Sequence, residues 1–290
     1  MHHAAMDPPR PRTRVALLTI AAMSFAAPSA AVDIATDIDS FVTERATAEQ
    51  RRHAAESIRI ELARRVAGTA RIERYRMPNV DPLLDFLMPP MRGQNVVWQL
   101  PATIETDRNI ILGAHYDSEP GSPGADDNAS GVYALIDIAE RLAALPERTA
   151  NITIVWFDQE EEDMVGSTHF AKTWRASGKP LHSMHNVDMI GYDGDGDAVV
   201  ELDIPNEQLA APYMAAAREL GIPINRVTYD STDHVAFRQL GYDAMAMSEE
   251  FAGGDFNPNH HAPGDTVIDR AYMARATELM ARALETLVTQ

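Results

Sequence analysis

The sequence predicts a single three-layer α/β domain: a mixed, mainly parallel twisted sheet with helices on both faces. Three observations carry that prediction. "NITIVWF" at 151–157 is an unbroken run of β-branched and aromatic residues, the pattern of a strand covered on both faces. "ASGVYALIDIAERLAAL", ending at Leu145, sets Val132, Leu135, Ile136, Ala139, Leu142 and Ala143 on one helical face, with Pro146 just beyond. Segments of these two kinds alternate along the chain, which is the order of βα units. A chain of 290 residues with 45% hydrophobic residues has ample material for one large core.

The elements follow in order. Residues 42–67, "VTERATAEQRRHAAESIRIELARRVA", read as a charged amphipathic helix. "NVVWQL" (95–100) and "NIILGA" (109–114) read as strands on either side of a loop from Pro101 to Asp107. The helix from about Ala129 and the strand at 151–157 come next, then a helix from Gly166 to Arg175. Short strands are expected near 184–190 and 198–204, a helix near 207–220, a strand near 244–248 and a long final helix over 269–288.

The N-terminus has a different character. Arg10, Arg12 and Arg14 precede "VALLTIAAMSFAA", 13 apolar residues from Val15 to Ala27, and small residues follow at Ser29 and Ala31. These are the marks of a secretory signal peptide, and the run is shorter than the roughly 20 residues that cross a bilayer. The expected organisation is a leader over 1–31 and a catalytic domain over 32–290 that opens with a helical segment at about 40–70. The expected location is secreted or periplasmic, with no membrane span in the mature chain.

A net charge of −18 argues against a nucleic-acid partner, which wants a basic face. The chain has no cysteine, so no thiol serves as nucleophile or ligand. Any metal must be held by His, Asp and Glu.

In open α/β sheets ligands bind beyond the carboxyl ends of the strands, and three acid or histidine groups fall there. His115 lies immediately after "NIILGA", "DQEEED" (158–163) follows "NITIVWF", and Asp188 lies in "MHNVDMIGY". The loop "HYDSEPGSPGADDNASG" (115–131) adds two adjacent aspartates, Asp126 and Asp127, and "NPNHHAPGDT" (257–266) adds two histidines. Each taken singly has an ordinary reading as a loop residue, a solvated face or a backbone cap. Together they form a cysteine-free set of imidazoles and carboxylates, which is what a zinc or other divalent site requires. Two cations fit better than one, because a carboxylate can bridge a pair of metals that activate a water between them. Adjacent Glu160 and Glu161 could then divide the work of base and ligand, and Asp117 could orient His115 through its far ring N–H.

The motifs "GAHYDS", "PGADDNASG", "EEEDMVGS", "NVDMIGY", "DHVAFRQLGY" and "HAPGDT" resemble, in order and spacing, the co-catalytic zinc aminopeptidases of the aminopeptidase Y type (metallopeptidase family twenty-eight), over roughly residues 90–270. The resemblance implies a zinc-peptidase fold and two zinc ions per chain, with manganese or cobalt as substitutes. It implies His115 and Asp188 on one zinc, Glu161 and His261 on the other, and Asp126 bridging both. It makes Glu160 the general base and Glu161 the ligand, with Asp117 beside them as the orienting acid; Glu162 has no assigned role and Asp127 only a supporting one. Two departures stand out: Asp163 occupies a place where the family often has glycine, and His260 replaces the usual aromatic. Either His260 or His261 could therefore coordinate, and the spacing to "APGDT" favours His261.

Two further segments draw a reading. "DGDGDAVVE" (193–201) fails as an EF-hand, since its sixth position is Ala198 and its twelfth is Ile204, so an acid-rich turn is expected. Asp233 and His234 in "STDHVAF" are expected to cap the following helix and edge the substrate pocket. The function implied is an aminopeptidase acting on peptides with a free N-terminus. Glutaminyl cyclase, carboxypeptidase and small-amide hydrolase activity are the enzymatic alternatives on such a fold, and a non-catalytic binding homologue is the other class.

Overall fold

The computed structural model describes residues 38–68, 70–78, 90–228 and 230–290. The leader expected over 1–31 lies outside the described residues.

A short 3₁₀ turn, Ile38–Ser40, precedes α1 (Ala48–Arg65). Strands β1 (Arg71–Met77), β2 (Met91–Leu100) and β3 (Asn109–His115) follow, then a wide turn at Ala125–Ser130 that runs into α2 (Gly131–Ala144). Next come β4 (Asn151–Phe157), α3 (Val165–Ser177), β5 (Ser183–Val187), β6 (Val200–Asp203) and α4 (Glu207–Leu220). The chain closes with β7 (Ile224–Arg226), α5 (His234–Arg238), β8 (Ala244–Ser248) and α6 (Arg270–Thr289). The sheet has eight strands in the order β1-β2-β4-β3-β5-β8-β6-β7. The four central strands β4, β3, β5 and β8 are mutually parallel, while β1–β2, β2–β4 and β6–β8 pair antiparallel.

Alternation along the buried strands divides the core in two. Ile110, Leu112 and Ala114 of β3 and Ile152, Ile154 and Trp156 of β4 face the larger cluster, which α1, α2, α4 and α6 cover. Ile111, Val155 and Phe157 face the opposite side, where Phe170 and Trp174 of α3 and Phe237 of α5 pack. A strand with apolar residues on both faces needs helices on both faces, so the three-layer architecture follows from the sequence pattern.

The expected helix over 42–67 begins only at residue 48. Thr47 and Gln50 form a capping box, Thr47 Oγ1 accepting from Gln50 N (3.3 Å) and Gln50 Oε1 from Thr47 N (2.7 Å). Residues 41–46 run as irregular chain instead. Strand β1 was not expected, because "RIERYRM" carries too many charges to alternate cleanly. It is the sheet's edge and buries Tyr75 alone, with Arg71, Arg74 and Arg76 exposed.

One core group makes stability depend on pH. His185 of β5 is fully buried, with its ring nitrogens 2.8 Å from Ser183 Oγ and 2.9 Å from Tyr213 Oη. Burial, reinforced by nearby His182 and Arg108, pushes it from 6.5 down to about 3. The folded state therefore holds it neutral while the unfolded chain takes up a proton below about pH 6.5. Its contribution is complete above that pH and falls by up to about 1.4 kcal/mol per pH unit towards pH 3. His185→Gln should flatten the decline of urea-unfolding free energy between pH 6.5 and 4.5; an unchanged slope would assign the acid sensitivity to other groups.

Candidate metal centre

Four chain segments meet at the carboxyl ends of the parallel strands. β3 ends on His115, β4 leads to Asp158–Glu161, β5 leads to Asp188, and the loop after β8 returns with His260 and His261. Because β3 is flanked by β4 on one side and β5 on the other, its end is a topological switch point, where the outgoing loops part and leave a crevice. A cavity of about 170 Å³ lies there, lined by His115, Asp127, Glu160, Asp188, His260 and His261 together with Met189, Ser231, Thr232, Ser248 and Phe251.

Asp127 stands at the centre. One carboxylate oxygen lies 3.0 Å from His115 Nε2, and the other is 3.1 Å from His261 Nε2 and 3.3 Å from His260 Nε2. Asp188 Oδ1 is 3.2 Å from His115 Nε2, and Glu161 Oε2 is 3.0 Å from His261 Nε2. Burial would raise Asp127, but the three imidazoles hold its carboxyl well below the usual range. His115 is correspondingly drawn up against its burial by Asp188, Asp117 and Asp127, and His261 is pushed up to about 10 by bonds to Asp127 and Glu161.

This geometry corrects the expectation for Asp126. The turn starts from Gly124 in the left-handed region (φ 61°), and across it Asp126 and Asp127 point in opposite directions. Asp126 turns inward: its Oδ1 accepts from Gly191 N (2.7 Å), and its carboxyl bonds that of Glu249. Glu249 is held in turn by the N–H groups of Asn257 and Tyr192, both at 2.9 Å. Two buried carboxyls in contact must share a proton: burial with Asp265 nearby pushes Asp126 to about 7, and burial with the Asp126 charge pushes Glu249 to about 10. Asp126 is therefore a structural group beneath the site, and Asp127 is the residue positioned to bridge. The adjacent N–H groups of Asp126 (3.0 Å) and Asp127 (3.1 Å) both donate to Asp265, which fixes the pair.

Asp117 lies beside His115. Its Oδ1 is 3.4 Å from His115 Nδ1, and its two oxygens accept the backbone N–H of Glu160 (3.1 Å) and Glu161 (3.3 Å). It thus ties the histidine on β3 to the acidic loop after β4. Glu162, given no role from sequence, secures that loop: it accepts from Arg51 Nη1 at 3.2 Å and Gln159 Nε2 at 3.0 Å. Arg51 also pairs with buried Asp158 at 2.8 Å. Of the two histidines in question, only His261 reaches both Asp127 and Glu161, and His260 stacks against it with ring centroids 3.6 Å apart.

Asp233 and His234 do not edge the pocket. Both are fully buried, His234 Nε2 lies 3.2 Å from Asp203 Oδ2, and Asp233 makes no side-chain cap to α5. The left-handed Thr232 (φ 65°) turns the chain so that Ser231 and Thr232 form the wall instead, and Thr232 Oγ1 donates to Asp188 Oδ2. "DGDGDAVVE" folds as a turn, with Asp193 Oδ1 accepting from Gly196 N (3.1 Å) and Ala198 N (3.3 Å).

Arg45 explains the irregular chain before α1, and sequence reading passed over it. Arg45 is 1% exposed, and its guanidinium forms no ion pair with a carboxylate among the described residues. It donates instead to five carbonyls: Tyr116 (2.6 Å), Phe41 (3.1 Å), Thr43 (2.8 Å), Pro123 (2.7 Å) and Gly124 (2.9 Å). Its own N–H donates to Ser118 Oγ at 2.9 Å. One side chain thus binds the N-terminal segment to the loop carrying Asp117 and Asp127. Burial lowers it to about 10, yet it stays charged near neutrality, held by Asp117, Asp127, Asp265 and Glu161. Arg45→Met would strand those carbonyls and remove the counter-charge, a loss of about 3–5 kcal/mol in urea unfolding. Arg45→Lys should recover only part, since an ammonium has three donors and no planar fork. A loss under about 1 kcal/mol for Arg45→Met would mean water replaces the guanidinium.

The donor set suits divalent cations on the structure's own terms. Imidazole nitrogens face carboxylate oxygens at 3.0–3.2 Å. Glu161 Oε1 is buried with no hydrogen-bond partner. Asp127 belongs to two sets of potential ligand atoms, one with His115 and Glu161 and one with His260 and His261, each within 4.8 Å.

An open α/β sheet with such a cluster at its switch point defines a class of protein built to hold cations beside a small cavity. Within that class the family is specific: residues 95–284 match the model of peptidase family M28, and the chain belongs to that family. Aminopeptidase YwaD of Bacillus subtilis is 30% identical over 207 residues, 66% of this chain and 44% of that protein. A probable leucine aminopeptidase of Arthroderma benhamiae is 27% identical over 194 residues, 61% of this chain and 53% of that one. The chain spans about half the length of the curated relatives it matches. Among solved structures the fold is shared with a zinc aminopeptidase of Bacillus subtilis, at TM-score 0.63 and 24% identity over 70% of this chain and 52% of the other. It is also shared with the Legionella pneumophila LapA aminopeptidase, at TM-score 0.72 and 18% identity over 89% and 71%. A Porphyromonas gingivalis glutaminyl cyclase matches at TM-score 0.66 and 23% identity over 88% and 100%.

Proposed function

We propose that the chain is an exported metallo-aminopeptidase that removes N-terminal residues from peptides. The observation that carries this reading is the convergence of His115 and His261 on the one carboxylate of Asp127, with Asp188 against His115 and Glu161 against His261, beside a cavity of about 170 Å³. His115 and Asp188 would hold one zinc, Glu161 and His261 a second, and Asp127 both. These residues would hold cations whose chemistry would be to acidify a water and polarise the scissile carbonyl.

Glu160 lines the cavity but joins none of the donor sets, which leaves its carboxylate free to take and return a proton. Burial, with Asp188, Asp233 and Glu161 nearby, raises it well above the usual range, the direction a general base working near neutrality needs. Proton transfer to the leaving amine by the same group completes the reaction. Asp117 keeps His115 and the Glu160–Glu161 backbone in register throughout. The surplus of carboxylate over cationic side chains suits the free α-ammonium of a peptide. Met189 and Phe251 give the cavity an apolar wall for one side chain. The leader expected over residues 1–31 is the basis for export. None of the described helices is long and apolar enough to cross a membrane.

The test is a peptide set with free and acetylated N-termini, read by mass spectrometry with and without a chelator. Stepwise loss from the free peptides alone, abolished by chelator, is the expected result. Loss of ammonia from glutamine-starting peptides without cleavage would replace this reading with a cyclase. Shortening from the other end would make the enzyme a carboxypeptidase.

A further inference from the structure

We propose that Glu119 is an additional carboxylate ligand of the second cation position, acting with Glu161 and His261. This rests on the two-cation reading of the site. A carboxylate oxygen of Glu119 and ligand atoms of Glu161 and His261 all lie within 4.8 Å of one another. None of the six motifs assigns Glu119 a role, yet it follows Asp117 by only two residues on the loop leaving β3.

Its position is built rather than incidental. Ser122 N donates to the Glu119 carbonyl (2.9 Å), closing a tight turn, and the neighbouring Ser118 Oγ accepts from Arg45 N at 2.9 Å. Gly121 N donates to Glu44 Oε1 at 3.1 Å, so the N-terminal segment braces the same turn. Among the described residues no lysine or arginine pairs with Glu119. In that set its company is a second carboxylate, Glu161, and the His261 ring, and a metal ion held by all three would offset the repulsion between the two carboxylates. Glu161 supplies the independent sign: its side chain is 6% exposed, and its Oε1 is buried with no hydrogen-bond partner. An orphaned buried oxygen, an imidazole nitrogen and a second carboxylate make a cation site in which Glu119 completes the shell.

Glu119 makes the two positions chemically unequal. Each draws on one imidazole, from His115 or His261. The second gathers Asp127, Glu161 and Glu119, while the first has Asp127 and Asp188. An oxygen-richer position favours harder ions, so manganese should be retained better at the second than at the first.

Calorimetric titration of the metal-free full chain with Zn²⁺ and with Mn²⁺ tests this on wild type, Glu119→Gln and Glu119→Val. In both variants the second equivalent should weaken by at least about tenfold, as loss of even an outer-shell partner does. The first equivalent should be unchanged and the loss larger for Mn²⁺. Thermal unfolding of the metal-free proteins, expected to coincide, separates loss of a ligand from loss of fold. Two unchanged equivalents in both variants would overturn the proposal. So would a raised KM with unchanged metal titration, which would make Glu119 a substrate contact. Fewer than two equivalents in wild type would overturn the two-cation reading itself, a result read without any variant.

Discussion

Asp127→Ala should abolish both tight cation equivalents and leave less than about 10⁻³ of wild-type kcat/KM, whereas Asp126→Asn should keep two cations and most of the activity. Among the described residues Asp127 is the one carboxylate within 3.3 Å of all three imidazoles, His115, His260 and His261, through two different oxygens. Removing it takes a ligand from both positions at once. Loss of a single outer-shell partner already costs about 10–100-fold in affinity, and a shared inner ligand costs more at each position. Asparagine at 126 can still accept from Gly191 N and can donate to Glu249, so it replaces the shared proton with an amide hydrogen. The contrast is checked by metal analysis after dialysis and by peptide turnover. Metal loss in Asp126→Asn with retention in Asp127→Ala would return the bridging role to Asp126.

Glu160→Gln should lower kcat by about 10²–10⁴-fold with metal content intact, the range for removing a general acid–base group. Glu160 lines the cavity yet belongs to no donor set, while Glu161 belongs to two. Glutamine preserves the backbone N–H that Asp117 accepts at 3.1 Å, so the loop should stay in place. Glu161→Gln should lose a cation equivalent and activity together. If the two variants exchanged phenotypes, the roles of base and ligand would exchange with them.

How far the sequence disclosed this site can be read residue by residue. His115, Glu160 and Glu161 lie at or just beyond the ends of β3 and β4, whose apolar runs are unmistakable, and Asp188 follows the short β5; such ends converge in any open parallel sheet. Asp126 against Asp127 was not decidable by pattern. The turn that separates them begins from a left-handed glycine and has no periodicity, so neighbours in sequence face opposite ways. Gly131 shows how tight that packing is: a Cβ there would sit 2.3 Å from Asn128 Oδ1 and 2.8 Å from the Val187 carbonyl.

Glu249 and Arg45 were hidden for another reason. Each acts through partners far away in sequence, Arg45 more than 70 residues from Tyr116, and nothing local marks an arginine as buried. Asp233 and His234 misled because a helix start next to a candidate ligand looks like a pocket edge. Both side chains are buried instead, and His234 meets Asp203, which also bonds Arg238 at 2.7 Å. Helix α6 and strand β4 were legible within a residue or so, since long amphipathic or fully apolar runs leave few alternatives.

The central claim is that two cations share Asp127 at the end of β3. Anomalous scattering from crystals of the zinc-loaded protein tests it most directly. Two zinc peaks about 3.5–4 Å apart, one on each side of the Asp127 carboxylate, are the expected result. A single peak on His115 and Asp188, or a pair spanned by another residue, would contradict it.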